Sequence, residues 1–77
     1  MKLSKAVGIR IDKLLKQRNM TMYQLSKLGG IPRSTICVII EGKYNTVKLD
    51  TIYQIADTLG LTLEEFFKDT LFSNVDD

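Results

Sequence analysis

Residues 21–42, TMYQLSKLGGIPRSTICVIIEG, constrain the fold more tightly than any other stretch of the chain. Two short apolar patterns of helical spacing are parted by Gly29 and Gly30, and Pro32, Arg33 and Ser34 stand where the second begins. A glycine pair permits the positive backbone angles that stop one helix and redirect the chain, and proline suits the first turn of the next. The pattern predicts a helix-turn-helix, a motif whose second helix carries its N-terminal side chains beyond the body of the domain. Side chains presented in that way can reach base edges in a DNA major groove.

The flanking sequence is helical too. Over 4–18, Val7, Ile11, Leu14 and Leu15 recur at spacings of three and four, with Lys5, Arg10, Asp12, Lys13, Lys16 and Gln17 between them. Thr21 and Gln24 match a capping box with Met20 and Leu25 at the staple positions, which starts the second helix at Thr21 and runs it to about Leu28. The third spans about 32–41 and is closed by Gly42, after which Lys43, Tyr44, Asn45 and Thr46 form a polar connection. A fourth, marked by Leu49, Ile52, Tyr53, Ile55, Ala56 and Leu59, ends at Gly60. Thr62 with Glu65, and Leu61 with Phe66, repeat the cap and staple for a short fifth helix. Residues 70–77 show no clear period and read as a short tail, docked or frayed, beyond a domain of residues 1–69. The expected class is all-α, a compact five-helix domain.

Charge is unevenly placed. Residues 1–48 carry a net +8 and residues 49–77 a net −6, within an overall +2. A basic two-thirds joined to an acidic remainder points one face toward phosphates and another toward solvent or protein. Cys37 is the single cysteine, so there is no intrachain disulfide and no Cys/His cluster for zinc. The longest uninterrupted apolar run is five residues, 36–40, and the first residues meet charge too soon to supply a signal-peptide core. The chain is therefore expected in the cytoplasm. Without histidine, a nucleophile and base arrangement or a glycine-rich phosphate loop, it is expected to be no enzyme and to need no cofactor or metal.

At 100° per residue, Pro32, Thr35, Ile36, Ile39 and Ile40 gather on one side of the third helix, and Arg33, Ser34, Cys37, Val38 and Glu41 on the other. Solvation of Arg33 and Ser34 and burial of Cys37 and Val38 by a neighbour is the plain alternative to a reading surface. An apolar Val38 has a use against a thymine methyl group, and Arg33 can donate two hydrogen bonds to guanine. Cys37 lacks a neighbour that would lower its pKa and reads as a small tolerated side chain. Tyr23, Gln24, Lys27, Lys43, Tyr44, Asn45, Thr46 and Lys48 carry donors suited to backbone phosphates and flank the third helix. Phe66, Phe67, Leu71 and Phe72 cluster near the end of a chain with little core to hide them, which suggests a homodimer contact or completion of the core.

With these pieces in view, IDKLLKQRNMT, YQLSKLGGIPRSTI, EGK and LDTIYQIADTLGLTLEEFF, the chain resembles the Cro and phage-repressor-like helix-turn-helix family, often called the XRE family, over residues 9–67. The resemblance implies a lambda-repressor-like DNA-binding domain acting as a dimeric transcriptional regulator in bacteria or phage, and the symmetry of a dimer calls for a roughly palindromic double-stranded operator. It implies base-edge contacts from Arg33, Ser34, Val38 and Cys37, and phosphate contacts from the start of the second helix and the loop at 43–45. The alternative is a protein-interaction module, such as an antitoxin or anti-regulator, with secondary or lost DNA binding. Two departures stand out: Met22 replaces a phosphate-binding glutamine, and Leu15 with Ile40 replaces the arginine and glutamate of a charge pair. Apolar replacement of a buried ion pair avoids desolvation and is often neutral or stabilising.

Overall fold

The computed structural model describes residues 1–76 and forms α1 (Leu3–Gln17), α2 (Met22–Gly29), α3 (Arg33–Ile40), α4 (Leu49–Thr58) and α5 (Leu63–Phe66), followed by a 3₁₀ helix at Thr70–Asn74. Among the described residues there is no strand. Local capping signals explain two of the helix starts, those of α2 and α5. Thr21 Oγ1 accepts from the Gln24 N–H while Gln24 Oε1 accepts from the Thr21 N–H, and Thr62 and Glu65 repeat the reciprocal pair.

Four helix ends share one backbone device. After α1, α2, α3 and α4 a residue with positive φ turns the chain, Gly30 in the case of α2, and the next N–H bonds back to the carbonyl five residues earlier: Met20 to Leu15, Ile31 to Ser26, Lys43 to Val38, Leu61 to Ala56. Gly42 and Gly60 fill the turning position after α3 and α4. After α1 it is Asn19, with φ 51°, a residue type that tolerates the left-handed region better than most.

Val7, Ile11, Leu14, Leu15, Leu25, Ile36, Ile39, Ile52, Ile55 and Ala56 form one core closed by Phe66, which is fully buried. At the crossing of α1 and α3, a Cβ added to Gly8 would fall 2.9 Å from the Ile40 carbonyl oxygen and closer still to that of Ile39, so only glycine lets these backbones meet. Leu15 is buried and Ile40 is half-buried against the same core. Both positions of the departed charge pair thus face apolar surroundings.

Arg10, which the sequence pattern leaves among the polar filling of α1, is 9% exposed. Its Nε donates to the Phe66 carbonyl at 2.7 Å and its Nη2 to the Glu65 carbonyl at 3.0 Å, satisfying the open end of the four-residue α5. Nη1 lies 3.4 Å from Asp69 Oδ2, which Lys13 holds at 2.9 Å, and Asp69 Oδ1 accepts from the Leu71 N–H. These contacts start the 3₁₀ helix and bring Phe72 against Phe66 and Phe67, at centroid distances of 6.5 and 4.9 Å. The segment from Thr70 to Asn74 is docked rather than frayed.

Candidate nucleic-acid interface

Helix α3 is anchored by Ile36 and Ile39, both buried, with Thr35 and Ile40 half-buried beside them. Arg33 and Ser34 in its first turn are exposed, Cys37 and Val38 are half-buried, and Glu41 at its C-cap is exposed. Pro32, expected on the inward side, is exposed. With ψ 135° it precedes the helix as N-cap, so the helical phase does not apply to it. The turn before it is fixed from both sides: Ile31 is buried as a plug, and Ser26 Oγ donates to the Ile31 carbonyl at 2.5 Å. Gly30, at φ 65°, makes the change of direction.

The N-terminus of α2 lies alongside the start of α3. Thr21, Met22, Tyr23, Arg33, Ser34 and Cys37 line an open concavity of about 480 Å³ between them. The first N–H groups of a helix have no intrahelical partner, and together with the positive end of the helix dipole they favour an anion. Tyr23 is exposed, with Lys27 Nζ 5.4 Å from its ring centroid. Gln24 commits its carbonyl oxygen to the cap and keeps its amide group as a donor.

Beyond α3, Lys43, Tyr44, Asn45, Thr46 and Lys48 are all exposed. The fold adds two cations that sequence reasoning passed over. Lys2 Nζ donates to Asn45 Oδ1 at 3.3 Å, and Lys5 packs beside Gly42, because the start of α1 docks on this loop. No local signal marks them; the pairing spans 43 residues.

Across the face of α3 runs a short polar chain. Cys37 Sγ donates to Glu41 Oε1 at 2.8 Å, and Glu41 Oε2 lies 2.8 Å from Lys43 Nζ. The bond to Glu41 raises the Cys37 pKa, the Cys37 and Lys43 contacts lower that of Glu41, and Glu41 raises that of Lys43. A thiol held protonated in this way is a poor nucleophile. Among the described residues no group of three or more His, Cys, Asp or Glu side chains could hold a metal ion, and no helix is long and apolar enough to cross a membrane.

An exposed first turn on α3, with a capped helix N-terminus beside it, is the arrangement by which a helix-turn-helix meets DNA. Residues 10–70 match the family model of the Cro/C1-type HTH DNA-binding domain. The chain belongs to that family. It is 36% identical over 58 residues to an uncharacterized HTH-type transcriptional regulator of Archaeoglobus fulgidus, covering 75% of this chain and 80% of that protein. No solved structure matches. In this Cro/C1-type domain, Met22 is half-buried and packs against the core, so its side chain serves the fold where the resemblance expects a phosphate donor.

The four residues considered for a subunit contact do not share one environment. Phe66 leaves the set, since its side chain is fully buried among α1, α4 and α5 and offers no surface to a partner. The staple geometry of α5 turns it inward while its neighbour Phe67 meets it edge-on at 5.1 Å. Phe67, Leu71 and Phe72 are half-buried and retain exposed area.

Proposed function

We propose that this Cro/C1-type domain is a sequence-specific transcriptional regulator that binds double-stranded DNA in the cytoplasm, with α3 in the major groove. The observation that carries the reading is the split of α3: Ile36 and Ile39 lock it into the core while Arg33 and Ser34 are free at its leading turn. Arg33 reads guanine, Ser34 and Val38 contact neighbouring base edges, and Cys37 packs beside them. Tyr23, the Gln24 amide, Lys27 and the loop of Lys43, Tyr44, Asn45, Thr46 and Lys48 hold the two flanking strands of phosphates. The protein works as a homodimer through Phe67, Leu71 and Phe72 on a roughly palindromic operator, with half-sites about 34–36 Å apart.

Titration against random and genomic duplex fragments at two salt concentrations tests the reading. Selection of a few fragments with steep salt dependence supports it. Weak binding indifferent to sequence overturns it. Sedimentation with and without the selected duplex tests the dimer, and a monomer in both states removes that part.

A further inference from the structure

Glu41 lies four residues after Cys37 and eight after Arg33, which places all three along one face of α3. Both of its carboxylate oxygens are engaged, one by the Cys37 thiol and the other by the Lys43 ammonium, each at 2.8 Å. On a surface facing phosphates such a carboxylate is out of place by charge, since it cancels the nearest cation. To an ammonium, however, a carboxylate oxygen and a phosphate oxygen offer the same charge-assisted contact. Gly42, at φ 69°, folds the chain back so that Lys43 meets Glu41.

Resting on the reading that this face meets DNA, we propose that Glu41 stands in for a DNA phosphate, holding Lys43 in the unbound protein and releasing it to the backbone on binding. The exchange is open to solvent, for the Lys43 and Glu41 side chains are 66% and 43% exposed. The Cys37 thiol keeps the carboxylate on the helix when the lysine leaves. An exposed ion pair is weak, so trading it for a phosphate contact is close to balanced, and Glu41 lowers affinity for every sequence alike. Its role is to set affinity without reading bases.

The test measures binding of wild type, E41Q, E41S, K43A and E41Q/K43A to a selected duplex and to a random duplex, with urea midpoints confirming that each variant is folded. Both Glu41 variants are expected to bind both duplexes more tightly by one common factor, about two- to fivefold near 0.1 M salt, fading as salt rises. In the K43A background most of that gain disappears. A gain of equal size with and without Lys43 overturns the stand-in and leaves only general repulsion. Weaker binding, or a changed base preference, overturns it by making Glu41 a reading residue. A wild type that selects a duplex while both Glu41 variants match it removes the stand-in alone; a wild type that selects none removes the DNA reading together with it.

Discussion

Replacing Gly8 with alanine sets two effects of opposite sign against each other. In an ordinary helix interior the change stabilises by about 0.8–1.0 kcal/mol, because alanine loses less backbone freedom on folding. Here the new Cβ would sit 2.9 Å from the Ile40 carbonyl oxygen and nearer to that of Ile39, whereas real Cβ atoms essentially never approach within 3.0 Å. Both obstacles are backbone in the last turn of α3 and its end, so no side-chain rotation relieves them. Either α3 lifts away from α1 or α1 bends, and the whole interface loosens. Overpacking of a core costs about 1–3 kcal/mol, and an unyielding backbone places this case at the upper end. Net destabilisation of about 1–2 kcal/mol is expected after the helix-propensity gain. For a domain of this size that lowers the melting temperature by roughly 4–16 °C. Thermal and urea unfolding followed by circular dichroism measure it. A Gly8→Ala protein as stable as wild type, or more so, would show that α1 and α3 do not approach through backbone at this point, and the argument for how α3 is seated would fail.

Three further outcomes are expected. Arg33→Ala costs about 1–3 kcal/mol in binding and relaxes preference at one base pair per half-site, whereas Lys43→Ala weakens all sequences similarly; quantitative competition with single-base variants of the operator separates the two. Leu15→Arg alone buries an unpaired charge at a cost of about 3–5 kcal/mol, Ile40→Glu costs less because that position is half exposed, and the double substitution recovers part of the loss. A urea double-mutant cycle with additive losses would show that the two sites are not neighbours. Asp69 has its pKa lowered by the Leu71 N–H first, then by Lys13 and Arg10, so it contributes stability above the ordinary carboxylate range and loses it as pH falls through the lowered value. The stability gap between wild type and Asp69→Asn should therefore be widest near neutrality and shrink in acid; a gap constant with pH would mean that the carboxylate is not ionised in these contacts.

What the sequence discloses and what it hides divide by range. Thr21 with Gln24, Thr62 with Glu65, and Gly42 and Gly60 act within a single turn, so helix starts and stops were readable to within a residue or two. The outward placement of Arg33 and Ser34 followed from helical phase alone, as did the inward placement of Ile36 and Ile39. Arg10 looked like polar filling because its partners, the carbonyls of Glu65 and Phe66, are 55 and 56 residues away. Lys2 and Lys5 were hidden for the same reason. Phe66 could be assigned to the core or to a subunit contact with equal logic until the path of α5 was fixed. The 3₁₀ helix at Thr70–Asn74 has no apolar period to detect, since it is organised by the side chain of Asp69.

The clasp of Arg10 on the end of α5 has a kinetic meaning. It closes a loop of more than fifty residues, and such closure is reached after the local helices and the nearer pairings have formed, because loop entropy opposes it until they do. Interactions made after the folding barrier act on the rate of escape from the native state and hardly on the rate of entry. Arg10 is therefore expected to act on how long α1, and with it the seat of α3, stays closed once assembled. Loss of the clasp is expected to make the domain open and reclose more often, and a reading helix that is correctly shaped but short-lived holds a groove poorly.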